Sequence, residues 1–244
     1  ITFLKNCLTK IFFKENILEF SDDLKLSYQY LIICTGSIPN SFLTQGVDEN
    51  CYFFNDFHDL NKLKSFLKKL QNTEFHKKLF IVGGGPSGIE LACKIQDIFK
   101  DQFEINVVEK SNEILKKNKI FNREQAEKAL EKRKIKVLLN STVKEVSETK
   151  ISISSEIGIT SMDKDIVIWT AGVKPNLSYL ETDEITKKFG RILVNKNLQI
   201  ESYKNCFAIG DIAVIDGMED LPITAQVAMQ EGNHLANNLQ LLIQ

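Results

Sequence analysis

Leu79-Phe80-Ile81-Val82-Gly83-Gly84-Gly85-Pro86-Ser87-Gly88-Ile89-Glu90-Leu91-Ala92 is the stretch that decides how this chain folds. Leu79 to Val82 read as a short buried strand, the glycines as a turn, and Ser87 to about Phe99 as a helix. Gly83, Gly85 and Gly88 stand at GxGxxG spacing. Gly83 permits the tight turn, Gly85 removes a side chain where a pyrophosphate must approach the backbone, and Gly88 lets the helix pack close to the strand. The helix N-terminus then offers N–H groups and a partial positive charge to phosphates. Glycines kept for packing alone are the competing reading. A strand before, a helix after and an acid ending the next strand weigh against it.

That acid is Glu109, closing Ile105-Asn106-Val107-Val108-Glu109 and lying 26 positions beyond Gly83. The usual spacing to the residue that binds the ribose hydroxyls is about 20. A carboxylate there repels a 2′-phosphate, so NADH is favoured over NADPH, although Lys110 beside it tempers that preference.

Working outward, residues 56–71 carry a helical period, with Phe57, Leu60, Leu63, Phe66, Leu67 and Leu70 on one side and lysines on the other. Asn122 to Lys132 reads as a further helix with Asn122 as its N-cap. Residues 135–139, 142–146, 151–153 and 165–170 read as strands. Alternation of strands and helices implies a parallel sheet with right-handed crossovers. On the amino-terminal side, 11–13 and 17–20 form a hairpin, and Tyr28 to Cys34 reads as one buried strand ending at Thr35-Gly36. On the carboxyl-terminal side, 191–194, 198–200 and 206–209 are short strands, the last ending at Gly210-Asp211, and a helix follows Pro222. A strand-end Gly-Asp places a carboxylate where a ligand can lie at the edge of a parallel sheet, though a plain turn would look the same.

Composition narrows the class. With 31 basic and 32 acidic residues and a net charge of −1, no nucleic-acid partner is expected. The five cysteines are scattered and form no CxxC pair, which points to small core residues in a reducing compartment. His58, His76 and His234 lack ligand spacing, so no metal site is expected. No apolar run approaches the roughly 20 residues of a membrane-spanning helix. The chain begins at Ile1 and stops inside a helical pattern, so it reads as a fragment.

Taken in order, Tyr30-Leu31-Ile32-Ile33-Cys34-Thr35-Gly36-Ser37, the glycine turn, Trp169-Thr170-Ala171-Gly172-Val173-Lys174-Pro175-Asn176 and Ala208-Ile209-Gly210-Asp211 resemble the two-dinucleotide-binding flavoprotein superfamily over nearly the whole chain. The resemblance implies an α/β fold of two Rossmann-like three-layer domains, the NAD(P)H domain inserted into an incomplete FAD domain. The implied boundaries are 1–42 and 173–244 for the FAD domain and 43–172 for the NAD(P)H domain. Thr35, Gly36, Gly172, Gly210 and Asp211 are the implied cofactor-binding residues beside Gly83, Gly85, Gly88 and Glu109. The superfamily's first FAD fingerprint is missing from this chain.

Trp169 in Trp-Thr-Ala-Gly-Val, and Thr224-Ala225-Gln226-Val227-Ala228-Met229-Gln230-Glu231-Gly232, are similar to the type II NADH dehydrogenases, single-subunit NADH:quinone oxidoreductases. That similarity implies FAD, NADH, a quinone, and a peripheral position on the cytoplasmic side of a bacterial or organellar membrane through a segment outside this chain; the oligomeric state is left open, a homodimer being one option. Gln226 and Gln230, four apart on one helix face, would meet the quinone or the flavin edge. Glu90 would be a buried carboxylate near the nicotinamide; a helix first-turn acid is the plainer reading. A disulfide, ferredoxin or demethylphylloquinone-type reductase on the same scaffold is the rival enzyme, and a non-catalytic NADH-sensing module the rival from another class. Lys134 departs from the family, which has glycine there; a lysine in a left-handed cap is strained.

Overall fold

The computed structural model describes residues 1–70, 77–179 and 185–243. They divide into two compact units, one of residues 39–173 and one of residues 1–38 with 174–244.

The first unit is built on a five-stranded parallel sheet in the order Tyr52–Phe53, Ile166–Trp169, Lys77–Val82, Phe103–Val108, Lys136–Leu138. The central strands are apolar almost without a break because both their faces are covered. Leu79, Ile81, Ile105, Val107, Ile166 and Ile168 face the helices Phe57–Leu70, Pro86–Phe99 and Ile120–Lys132. The alternate residues Phe80, Val82, Val108, Val167 and Trp169 face the other way, onto Val143, Val146, Ile151 and Ile153. Those four belong to an antiparallel sheet of Thr142–Val146, Lys150–Ser155 and Gly158–Asp163. The layers are therefore helices, parallel sheet and antiparallel sheet.

The second unit holds an antiparallel sheet of Leu8–Phe12, Ile17–Phe20 and Lys25–Ser27, and a parallel pair of Leu31–Ile33 with Cys206–Ala208. It also holds a small mixed sheet of Lys187–Lys188, Arg191–Val194 and Ala213–Ile215. The helix Ala225–Ile243 places Leu235 in a core with Ile33, Ile192, Cys206, Phe207 and Ile212.

Several expectations are corrected. Phe57 is 76% exposed and Leu60 is also exposed, because the helix meets the two-residue edge strand only further along, where Phe66 stacks on Tyr52. The Leu70 side chain, residue 71 and His76 lie outside the described residues. Asn122 is inside its helix: the first turn opens at Ile120, where Asn122 N–H already donates to Lys119 O. The strand expected over Tyr28–Cys34 shrinks to Leu31–Ile33, which pairs with Cys206–Ala208 alone among the described residues, and Ile32 on it is exposed. Leu198–Ile200 is buried but makes single bridges with Val194 and Phe207, since Leu198 itself is left-handed (φ 64°). Cys7 and Cys34 are exposed, whereas Cys51 and Cys206 are buried; all are free thiols, and burial pushes Cys51 up to about 12. Lys134 does adopt the left-handed conformation (φ 56°), at a cost of about 1–2 kcal/mol.

Candidate functional site

The strand Lys77–Val82 runs straight into a turn wedged between two neighbouring strand ends. Gly83 N–H donates to Val108 O (2.8 Å), and Thr170 N–H donates to Val82 O (2.8 Å). Gly83 has φ 118°, and a Cβ on it would lie 2.9 Å from Thr170 backbone atoms. A Cβ on Gly88 would lie 2.0 Å from Gly83 O, so the helix Pro86–Phe99 begins directly on the turn. Gly85 is the N-cap, and no side chain caps this helix end, so its positive end opens outward. A Cβ added at Gly85 would meet nothing within 4 Å. Packing therefore does not require glycine there.

Glu109 lies across the same turn. Its Oε2 accepts from Gly84 N–H (2.7 Å) and its Oε1 from Ser111 N–H (2.8 Å). Gly84 is the glycine that the spacing argument passed over: a Cβ on it would sit 3.0 Å from the Glu109 side chain. Two openings flank the turn, and both reach Gly83, Glu109 and Ala171. One, of about 260 Å³, is walled mainly by Phe42, Val82, Val108, Val143 and Trp169. The other, of about 310 Å³, is rimmed by Gly85, Glu113, Lys116, Lys117, Asn118 and Gly172. The loop bearing the lysines is pinned by Leu115 N–H donating to Gly84 O (2.9 Å). Trp169 is buried and its Nε1–H donates to Asn40 O (2.8 Å). Glu90 is corrected: it is exposed, and the helix has no acid in its first turn, so it is neither a buried carboxylate nor a first-turn acid.

In the other unit, Leu31, Ile32 and Ile33 lie opposite Cys206, Phe207 and Ala208 in parallel register. Both strands therefore release their glycines at one carboxyl edge, Thr35-Gly36 from one and Gly210-Asp211 from the other. Ser37 Oγ donates to Asp211 Oδ2 (2.6 Å) and joins the two segments. Asn176 N–H donates to Gly36 O (3.0 Å), while Thr35 Oγ1 donates to Asn176 O (3.2 Å) and also bonds the buried Tyr179 hydroxyl. Gly210 is left-handed (φ 75°), and its N–H donates to Glu231 Oε2 (2.6 Å). Burial pushes the Glu231 carboxyl above the usual range, against the opposing pull of the Gly210 N–H and the Arg191 guanidinium. Gln226 and Gln230 sit exposed on the helix Ala225–Ile243, beside Met229, which is 70% exposed. Among the described residues no three His, Cys, Asp or Glu side chains gather as a metal site would need.

Gly84, Ser37, Tyr179 and Glu231 are the site residues that the sequence reading did not single out. Gly84, Ser37 and Glu231 stood inside quoted motifs, but nothing in the motif spacing announces their contacts.

A strand–glycine turn–helix on a parallel sheet, with a second glycine-bearing parallel edge in the companion unit, is the arrangement of the dinucleotide-binding α/β class. Residues 1–232 match the model of the pyridine nucleotide-disulphide oxidoreductases, and the chain belongs to that family. It is 33% identical over 227 residues to demethylphylloquinone reductase NdbB of Synechocystis, covering 88% of this chain and 54% of that protein. It is 29% identical over 245 residues to the mitochondrial external alternative NADH-ubiquinone oxidoreductase of Yarrowia lipolytica, covering 88% and 41%. The chain spans about half the length of these curated relatives. Among solved structures, NDH2 of Plasmodium falciparum in complex with NADH shares the fold at a TM-score of 0.76 and 23% identity, over 87% of this chain and 50% of that one. The ferredoxin reductase of the CYP199A2 system of Rhodopseudomonas palustris does so at 0.84 and 16% identity, over 97% and 58%.

Proposed function

We propose that this chain is the nucleotide-binding core of a flavoprotein that oxidises NADH and reduces a quinone. The observation that carries the reading is Glu109, clasped by Gly84 N–H at the mouth of an apolar cavity and beside an uncapped helix N-terminus. In this reading Glu109 accepts the adenosine ribose hydroxyls and disfavours a 2′-phosphate, and Gly85 and the helix end receive the diphosphate. The names of the quinone-reducing relatives support the acceptor class, and they differ among themselves in the quinone.

The carboxyl edge formed by Thr35-Gly36 and Gly210-Asp211 fits one side of an FAD site. Gly36 opens onto space that a Cβ would meet unopposed, and Asp211 is held in place by Ser37. Bound flavin would supply hydride acceptance from NADH and two-electron delivery to the quinone. Gln226 and Gln230 would offer amide N–H donors to quinone carbonyls. Quinones partition into lipid, so the reading includes a peripheral position at a membrane surface; no described helix is long and apolar enough to cross one.

The test uses the full-length protein. It should be yellow, and NADH should reduce a soluble quinone through it. Gln226→Ala with Gln230→Ala should slow quinone reduction about ten-fold or more while leaving reduction by NADH near wild type. A colourless protein overturns the flavin assignment; equal loss in both half-reactions overturns the role given to the two amides.

A further inference from the structure

We propose that Glu231 is the positioning residue of the flavin-facing turn, and that it works as a hydrogen-bond acceptor rather than as a charge. The inference rests on the reading that Gly210-Asp211 faces the flavin.

The turn Gly210–Ile212 is a single 3₁₀ turn between two short strands, too short to hold its own shape. Its first residue is left-handed, so the N–H of Gly210 points away from the strand ladder and needs a partner from elsewhere. The helix Ala225–Ile243 supplies that partner. Glu231 Oε2 accepts the Gly210 N–H at 2.6 Å, and one turn earlier Ala228 comes within 3.5 Å of where a Gly210 Cβ would lie. Glu231 thus ties the turn to the helix. On its other side the turn is fixed by Ser37, which donates to Asp211. The residual cavity among Arg191, Gly210, Asp211, Thr224 and Glu231 is about 10 Å³, barely room for one water to stand in as acceptor.

The surroundings do not favour the charge itself. Burial is the largest influence on Glu231, and Asp211 adds like-charge repulsion. Only the Gly210 N–H and the Arg191 guanidinium stabilise the ionised form. Arg191 is also engaged elsewhere, donating from its Nη1 to Ala213 O (3.2 Å). What the turn takes from Glu231 is an oxygen at the right reach.

Two variants separate reach from charge. Glu231→Gln keeps an oxygen at the same distance and removes the charge; Glu231→Asp keeps the charge and withdraws the oxygen by one methylene. In the full-length protein, FAD affinity measured by fluorescence titration should stay within about two-fold of wild type for Glu231→Gln. It should fall ten-fold or more for Glu231→Asp, with the visible circular dichroism of bound flavin altered. Any other pattern overturns the proposal: both variants unchanged, both weakened alike, or the order reversed. If one variant fails to fold, amide hydrogen exchange at Gly210 in the other decides, protection being expected for Gln and lost for Asp. A wild-type protein that binds no flavin would instead overturn the underlying functional reading, and the two failures are told apart by that control.

Discussion

The two glycine-bearing edges use glycine for different reasons. At the nucleotide turn of the 39–173 unit, added side chains would collide with protein: Gly83, Gly84 and Gly88 each bring a Cβ position to 3.0 Å or less from neighbouring atoms. At the edge formed by Thr35-Gly36 and Gly210-Asp211, Gly210 has its nearest neighbour at 3.5 Å and Gly36 has none within 4 Å. There the backbone angle alone asks for glycine. The first edge is over-determined by its own packing. The second takes its shape from two side-chain hydrogen bonds, Ser37 to Asp211 across the edge and Gly210 to Glu231 on the helix.

Substitutions can break or sharpen this contrast. The largest effect should come from Gly88→Ala. Its Cβ would meet Gly83 O at 2.0 Å, and backbone cannot yield as a flexible side chain can. A loss of about 3 kcal/mol is expected in urea unfolding of the full-length protein. A loss below about 1 kcal/mol would show that helix and turn are less tightly joined than drawn.

Gly210→Ala should cost about 1–2 kcal/mol, the strain of a left-handed alanine, with no added clash. A loss equal to that of Gly88→Ala would erase the distinction between the two edges.

Gly85→Ala should lower stability by at most about 1 kcal/mol, the difference between glycine and alanine as N-cap. It should nevertheless weaken NADH binding ten-fold or more, read by titration calorimetry. Unchanged affinity would mean that the open face of Gly85 is not where the diphosphate lies.

The smallest effect belongs to Glu231→Gln. Burial raises the Glu231 carboxyl in the folded state, so its contribution to stability is present in acid and is lost as pH rises through that raised value. The stability of Glu231→Gln relative to wild type should therefore improve from acid toward neutral pH, as followed by thermal unfolding. A difference independent of pH would place the carboxylate in solvent.

How much of this was legible in the sequence follows the same division. Leu79 to Ala92 could be read because strand, turn and helix follow one another with no distant partner needed. The strands around 105–108 and 166–169 announced themselves by unbroken apolar runs that both layers cover. Gly158–Asp163 gave no such signal, since nearly all its residues are exposed and its order comes from pairing with Lys150–Ser155. Leu198–Ile200 misled in the opposite way: its apolar residues are buried, but in a bridge-and-turn rather than a strand. Glu90 misled because a motif fixes a position on a helix and not what covers it. The site contacts were out of reach for a simpler reason. Gly84 meets Glu109 across 25 positions, Gly210 meets Glu231 across 21, and Ser37 meets Asp211 across 174. A linear reading supplies the residues but not which of them touch.

The double grip on Glu109 has a further consequence. A free glutamate side chain loses up to about 1.5–2 kcal/mol of rotamer freedom when a ligand immobilises it. Here two backbone amides have removed most of that freedom before any nucleotide arrives. Under the proposed function, ribose recognition becomes a docking event onto a rigid acceptor, with little reorganisation of the protein and a correspondingly small entropic penalty on binding.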